Sequence, residues 1–267
     1  MNMYNLRIGL RNFVDYCRLA STTPLSQSGK EQFWRLKRYV IQITGGIVQN
    51  GPFAGLMLTE AEAGSMLLPK LIGCYEKELH PAIEQISQSN YDIILDIGCA
   101  EGYYACGFAL RTHDSNTHVI AFDINPDAIR ITQKVAELNG LTHRVECRSI
   151  CNHDTFDIIR GKKALIFCDI EGAELELLDP SKAESLLECD ILVEIHDGPT
   201  GTLIHDTLVK RFQETHKWHT LPFIGRSSAD LYNLKWYIPN TWHSYAMNEH
   251  RKLGLQWLFF FKRNSSP

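Results

Sequence analysis

The hydrophobic pattern along the chain changes character once, near residue 90. Before that point it is irregular. Residues 4–20 place Leu6, Leu10, Phe13, Val14 and Cys17 on one helical face. The stretch Ser21–Lys30, rich in Ser, Thr, Gly and Pro, predicts a linker loop, and a second helix is expected from Glu31 to Ile41. The Gly-Gly, Asn-Gly-Pro and Ala-Gly breaks of ITGGIVQNGPFAGLML fall between β-branched residues and predict short strands and turns. Leu67 to Ser87 reads as mostly helical. Pro69 is tolerated in a first turn, whereas Pro81 forces a break or kink.

From Tyr91 apolar runs alternate with helical periods. Strands are expected at 92–97, 118–123, 144–149, 164–169, 191–196, 217–223 and 255–262. Helices are expected at 103–112, 126–139, 173–187 and 200–214. Strands this continuously apolar, spaced by helices, belong to a parallel sheet covered on both faces. The expected architecture is therefore α/β: a seven-stranded, mostly parallel sheet over 91–267. A helical and hairpin extension over 1–90 is expected to cover part of the sheet's crevice.

Composition narrows the function without naming it. With 267 residues, 44% hydrophobic and 22% charged, the chain can bury a full core. A formal net charge of −4 gives no general attraction for phosphate backbones, so nucleic acid is not expected as a partner. The first twenty residues lack a continuous apolar stretch, and no run approaches membrane length, so no membrane partner is expected. None of the eight cysteines forms a Cys-x-x-Cys pair, which reads as reduced thiols in a cytoplasmic protein.

The first strand of the alternating region runs into Asp96-Ile97-Gly98-Cys99-Ala100-Glu101-Gly102, and a helix follows at once. Two glycines let the backbone turn sharply, and the helix start offers N–H groups and partial positive charge to an anion. The second strand ends at Asp123, 123 − 96 = 27 residues on. A carboxylate there can accept hydrogen bonds from both ribose hydroxyls, so a nucleotide crevice of the Rossmann-like type is expected. The loop reads Asp-x-Gly-x-x-x-Gly and lacks the central glycine of Gly-x-Gly-x-x-Gly, where a pyrophosphate needs close approach. S-adenosylmethionine has an amino group, a carboxylate and a ribose but no phosphate, and it matches each feature. The expected cofactor-binding set is Glu76, Asp96, Gly98, Cys99, Glu101, Gly102, Asp123, Ile124, Ile150 and Cys151. For Glu76 a solvated helix face competes with pairing to the amino group.

Asp96–Gly102 with Tyr103-Tyr104, then Ala121-Phe122-Asp123, resembles the first two motifs of class I methyltransferases. Cys168-Asp169-Ile170-Glu171-Gly172-Ala173-Glu174 resembles the Asp-x-Glu-Gly-Ala-Glu signature of the FkbM family, and Leu192–His196 that family's next strand. The likeness spans about residues 90–197, with fainter echoes at Leu71–Glu76 and in Asn248-Glu249 with Gln256–Leu258. Phe167 departs from the family, many of whose members have Lys there. The resemblance implies the sheet order 3-2-1-4-5-7-6 with the last-added strand antiparallel. It also implies methylation of a hydroxyl on a sugar, glycan or natural-product small molecule. A catalytically silent cofactor-binding protein and a nicotinamide-dependent oxidoreductase are the alternatives. A homo-oligomer stays open.

Methyl transfer from a sulfonium needs an aligned acceptor, and a neutral hydroxyl must lose a proton. Candidate groups are Asp169, Glu171, Glu194, His196 and Asp197 at the tips of the fourth and fifth strands, which should be neighbours. Glu194 and His196 share one strand face. Asp169, His196 and Glu171 are the expected catalytic residues. The cluster could instead be hydrogen-bonded structure, or Asp169, Glu194 and His196 could hold Mg²⁺, in that order of preference. Glu171 divides between a substrate or cofactor contact and a residue favouring a helix dipole. Aromatic residues between Trp236 and His243 are read as acceptor-lining or as plain core.

Overall fold

The computed structural model describes residues 12, 14–21, 29–63, 65–112, 116–197, 201–251 and 255–263. These residues fall into two compact units. The larger comprises Ala61–Ser65, Glu76–Ile224 and Arg251–Pro267; the smaller comprises Met1–Glu60, Met66–Tyr75 and Gly225–His250. The division therefore does not fall at residue 90: residues 76–90 group with the sheet, and 225–250 group with the smaller unit.

The larger unit is a seven-stranded sheet in the order β3-β2-β1-β4-β5-β7-β6. The strands are β1 Ile93–Ile97, β2 His118–Phe122, β3 Val145–Arg148, β4 Ala164–Cys168, β5 Asp190–Ile195, β6 His216–Pro222 and β7 Gln256–Lys262. The first five pair in parallel, while β7 runs antiparallel to both β5 and β6. This is the order and sense expected. Strands β1, β4 and β5 are buried along their whole length, which explains their unbroken apolar runs. Strand β6 lies at an edge and is mostly exposed, and its polar residues show it. Strand order reverses between β1 and β4, so their C-terminal tips frame the crevice of an open α/β sheet.

Local chemistry sets where the helices start and stop. Pro126 opens the helix Pro126–Leu138, and the Asn125 side chain accepts from Asp127 N at 2.9 Å. The mostly helical stretch expected over 67–87, with a break near Pro81, is divided earlier than that. Leu67–Ile72 ends at Gly73, which has φ 88°, and a new helix His80–Gln88 begins with Pro81 in its first turn. The helix expected over 173–187 is also divided, into Glu174–Leu177 and a 3₁₀ segment Glu184–Glu188. Pro180 cannot continue the first piece, and Asp179 Oδ1 accepts from Ser181 N at 3.0 Å to make a turn instead. A 3₁₀ segment at His153–Ile159 was not expected. Its signal is the Asn152-x-x-Thr155 pair, whose side chains satisfy each other's backbone amides.

In the smaller unit, residues 14–20 are helical, and Leu6, Leu10 and Phe13 of the expected face lie outside the described residues. The helix Gly29–Thr44 starts inside the expected linker and outruns its predicted end. The short-strand reading of ITGGIVQNGPFAGLML reduces to one antiparallel bridge, Ile47 with Met57. Trp242 is core: it is buried and its Nε1 donates to Leu19 O at 3.0 Å. His243 is also buried, whereas Trp236 and Tyr237 are exposed.

Candidate active site

The loop after β1 is shaped by its neighbours. Gly98 (φ 87°) leaves no room for a side chain, because a Cβ there would lie 1.7 Å from Asp169 O at the tip of β4. Gly98 N and Cys99 N both donate to Phe122 O at 2.9 Å, which fastens the loop to the tip of β2. Gly102 (φ 79°) caps the helix Tyr103–Arg111, and no side chain caps that helix start. Its first-turn amides therefore remain suited to a carboxylate.

Asp123 stands just past β2, half-buried. Its Oδ2 accepts from Ala100 N at 2.9 Å and its Oδ1 from Asn125 N at 2.8 Å. Two backbone donors orient the carboxylate and leave each oxygen further acceptor capacity. Next to it, Ile124 is 85% exposed, and Ile150, past the neighbouring strand β3, is 62% exposed. Both aliphatic side chains offer apolar surface at the tips of neighbouring strands. Cys151 is half-buried against the core, and burial pushes its thiol up to about 12.

Other members of the expected cofactor set have partners within the protein. Glu101 is buried and accepts from Ala63 N at 3.1 Å and from the Ser65 hydroxyl. Glu76 is buried and is held by the Tyr104 hydroxyl and the Arg251 guanidinium. A buried carboxylate needs such donors, and both residues have them within the protein. Burial raises the Glu76 pKa, with Arg251 acting in the opposite direction. Cys99 is buried and packs against Thr132, and its thiol is pushed far up by burial. Asp96 is buried at the end of β1.

At the tips of β4 and β5 the expected cluster is assembled. His196 Nε2 lies 3.2 Å from Glu194 Oε2, 3.6 Å from Asp169 Oδ1 and 3.6 Å from Glu171 Oε2. His196 Nδ1 lies 2.7 Å from Glu174 Oε1. Burial alone would lower the His196 pKa. The Glu174 hydrogen bond and the charges of Asp169, Glu174 and Glu171 more than offset it, so the imidazole titrates above its ordinary value. Burial raises Asp169 to about 6, against the attraction of His196. Glu174 is buried, yet its bonds to His196 and Gly172 N hold it below the usual carboxylate range.

Three expectations change here. Asp197 is no base candidate, because its two oxygens accept from Ile204 N at 2.8 Å and His205 N at 3.0 Å and so cap the helix Leu203–Phe212. Glu194 pairs with Arg251 through one oxygen and lies outside the group with cation-like spacing. The grouping with cation-like spacing is instead Asp169, Glu171 and His196, whose ligand atoms lie within 4.8 Å of one another. Glu171 (φ 54°) precedes the helix that starts at Glu174 and is largely exposed, so it does not sit in that helix's first turn. Arg251 and Glu174 carried no assigned role in the sequence reading. Arg251 joins partners 175 and 57 residues away, and nothing local marks it. Glu174 had a signal, since it closes the Asp169–Glu174 motif. Phe167 packs in an aromatic cluster, 4.2 Å from Tyr104 and 4.9 Å from Trp257 between ring centroids.

The sheet order, the glycine loop after β1 and the acid after β2 together define a Rossmann-like sheet. Residues 88–214 match the family model described as a methyltransferase domain. No curated protein sequence matches the chain. Among solved structures, it is similar to a provisionally assigned rRNA methylase from Clostridium thermocellum. The identity is 16%, over 71% of this chain and 97% of that one, with a TM-score of 0.46. It is similar to a ribosomal protein L11 methylase from Lactobacillus delbrueckii subsp. bulgaricus, with 13% identity, 72% and 80% coverage and a TM-score of 0.46. A methyltransferase from Geobacter sulfurreducens matches at 13% identity, with 70% and 79% coverage and a TM-score of 0.42. The exclusion of nucleic acid as a partner is corrected. Matched structures include methylases described for RNA and for a ribosomal protein, and a mildly acidic net charge does not decide the acceptor. Among the described residues, no helix is long and apolar enough to cross a membrane.

Proposed function

We propose that the protein transfers a methyl group from S-adenosylmethionine to a hydroxyl of a sugar, glycan or natural-product small molecule, with His196 as the general base. The observation that carries this reading is His196 Nε2, set beside Asp169 at the tips of β4 and β5. Asp123 and the bare Ile124 and Ile150 stand at the β2 and β3 tips, beyond β1 in the strand order. The FkbM-like segment Asp169–Glu174 adds support. When bound, the cofactor supplies an electrophilic methyl on a good leaving group. Asp123 would receive the ribose hydroxyls, Ile124 and Ile150 would flank the adenine, and the start of the helix Tyr103–Arg111 would receive the carboxylate. Cys99 and Asp96 would line that loop, and Cys151 the adenine side. His196 would take the hydroxyl proton at Nε2, while Asp169 and Glu171 would position the acceptor. Eight free thiols fit a cytoplasmic location.

The experiment is a screen of hydroxylated acceptors with methyl-labelled S-adenosylmethionine, run with wild type and His196→Ala. Label in a methyl ether with wild type, and loss of about 10²–10⁴-fold in the variant, supports the reading. Label found only in protein or RNA acceptors would overturn the hydroxyl assignment. Absence of transfer with intact cofactor binding would favour a catalytically silent protein.

A further inference from the structure

We infer that Glu174 is a positioning residue: its carboxylate holds the proton of neutral His196 on Nδ1 and so leaves Nε2 as the bare, proton-accepting nitrogen. This deepens the assignment of His196 as base and rests on it. Nothing in that assignment requires Glu174: it takes Nε2 as the acceptor without saying what keeps that nitrogen bare.

His196 is contested by carboxylates on both sides. Nε2 faces Glu194 at 3.2 Å and Asp169 and Glu171 at 3.6 Å each, and Nδ1 faces Glu174 at 2.7 Å. A neutral imidazole has one N–H to give, and the tautomer follows the better acceptor. Three differences favour Nδ1. The Glu174 contact is shorter by 0.5 Å than the nearest rival, 3.2 − 2.7. Glu194 already shares its charge with Arg251, which weakens it as an acceptor. Glu174 has no side-chain exposure, whereas Glu171 is 76% exposed and screened by water.

Backbone placement makes the contact dependable. Glu174 is the first residue of the helix Glu174–Leu177, and Gly172 N donates back to Glu174 Oε1 at 3.0 Å. The same oxygen receives His196 Nδ1, so one atom ties the turn after β4 to the tip of β5. The arrangement is a buried carboxylate orienting a histidine, and such a contact sets which ring nitrogen is protonated.

The test is the protonation pattern of the His196 ring, read by long-range ¹H–¹⁵N correlation on the full chain labelled at histidine nitrogen. His196→Gln identifies the signal, and the spectra are taken at a pH where the ring is neutral. Wild type should show a protonated Nδ1 and a bare, pyridine-like Nε2. Glu174→Gln keeps the side-chain shape but removes the charge, and Glu194 should then draw the proton to Nε2. A wild-type ring protonated at Nε2 would overturn the inference, as would a folded Glu174→Gln variant that retains the Nδ1 proton. Should that variant fail to fold, the wild-type spectrum still decides. The outcome is separable from the base assignment. Nδ1 protonation with full methyl transfer in His196→Ala would refute the base while leaving the Glu174 contact intact.

Discussion

Replacing Arg251 with Met should destabilise the protein strongly, and more so at neutral than at acid pH. Arg251 reaches Glu76 with one terminal nitrogen and Glu194 with the other. Its side chain is 9% exposed, and those of Glu76 and Glu194 are 1% and 5% exposed. Met fills similar volume, so the packing loss is small. What remains is two buried carboxylates without their shared cation. Breaking a buried pair on one side costs about 3–5 kcal/mol. The Tyr104 hydroxyl still serves Glu76, and His196 still faces Glu194, so the lower half of that range is expected. At roughly 2–4 °C per kcal/mol, the melting temperature should fall by roughly 6–15 °C. The sign with pH follows from Glu76. Its folded pKa is already raised, chiefly by burial, so its ionised form is disfavoured by folding. That penalty is absent below the unfolded pKa and grows as pH rises toward the folded one. Without Arg251 it should grow further, so the deficit of the variant should shrink as pH falls from 7.5 to 5. Urea unfolding at both pH values measures it. A deficit within about 0.5 kcal/mol of zero at pH 7.5, or one that widens on acidification, would refute the argument.

Gly98→Ala should cost about 2–4 kcal/mol, because it adds a Cβ at φ 87° and 1.7 Å from Asp169 O, and denaturant melts would detect it. If His196 is the base, turnover should rise with pH through a pKa above 6.5, since the surrounding carboxylates hold the imidazole above its ordinary value; a limb below 6 contradicts this. A chelator should leave methyl transfer unchanged. Loss of activity that Mg²⁺ restores would assign Asp169, Glu171 and His196 to a cation instead.

Much of the sheet was legible because its strands are buried on both faces and therefore continuously apolar. Ile93–Ile97 and Ala164–Cys168 announce themselves this way. Helix interruptions were harder, since Gly73 and Pro180 break segments whose apolar spacing alone looks continuous. Asp123 could be found because the crevice needs an acid at a strand end. The commitments of Glu76 and Glu101 could not, because their partners Arg251, Ala63 and Ser65 come close only in the fold. A carboxylate in the sequence does not show whether a ligand or the protein will satisfy it. Asp197 illustrates this again: it stands one residue from His196 yet caps a helix.

The central claim is that the crevice beside Asp123 is built for an S-adenosyl cofactor. Titration calorimetry with S-adenosylhomocysteine, with NAD as the control, tests it most directly. The account predicts that wild type binds S-adenosylhomocysteine and gives no heat with NAD. It also predicts that folded Asp123→Ala binds about 10–100-fold more weakly, the loss of a charged hydrogen-bond acceptor worth about 1.5–3 kcal/mol. Tight NAD binding with no response to S-adenosylhomocysteine, or an unchanged affinity in folded Asp123→Ala, would contradict it.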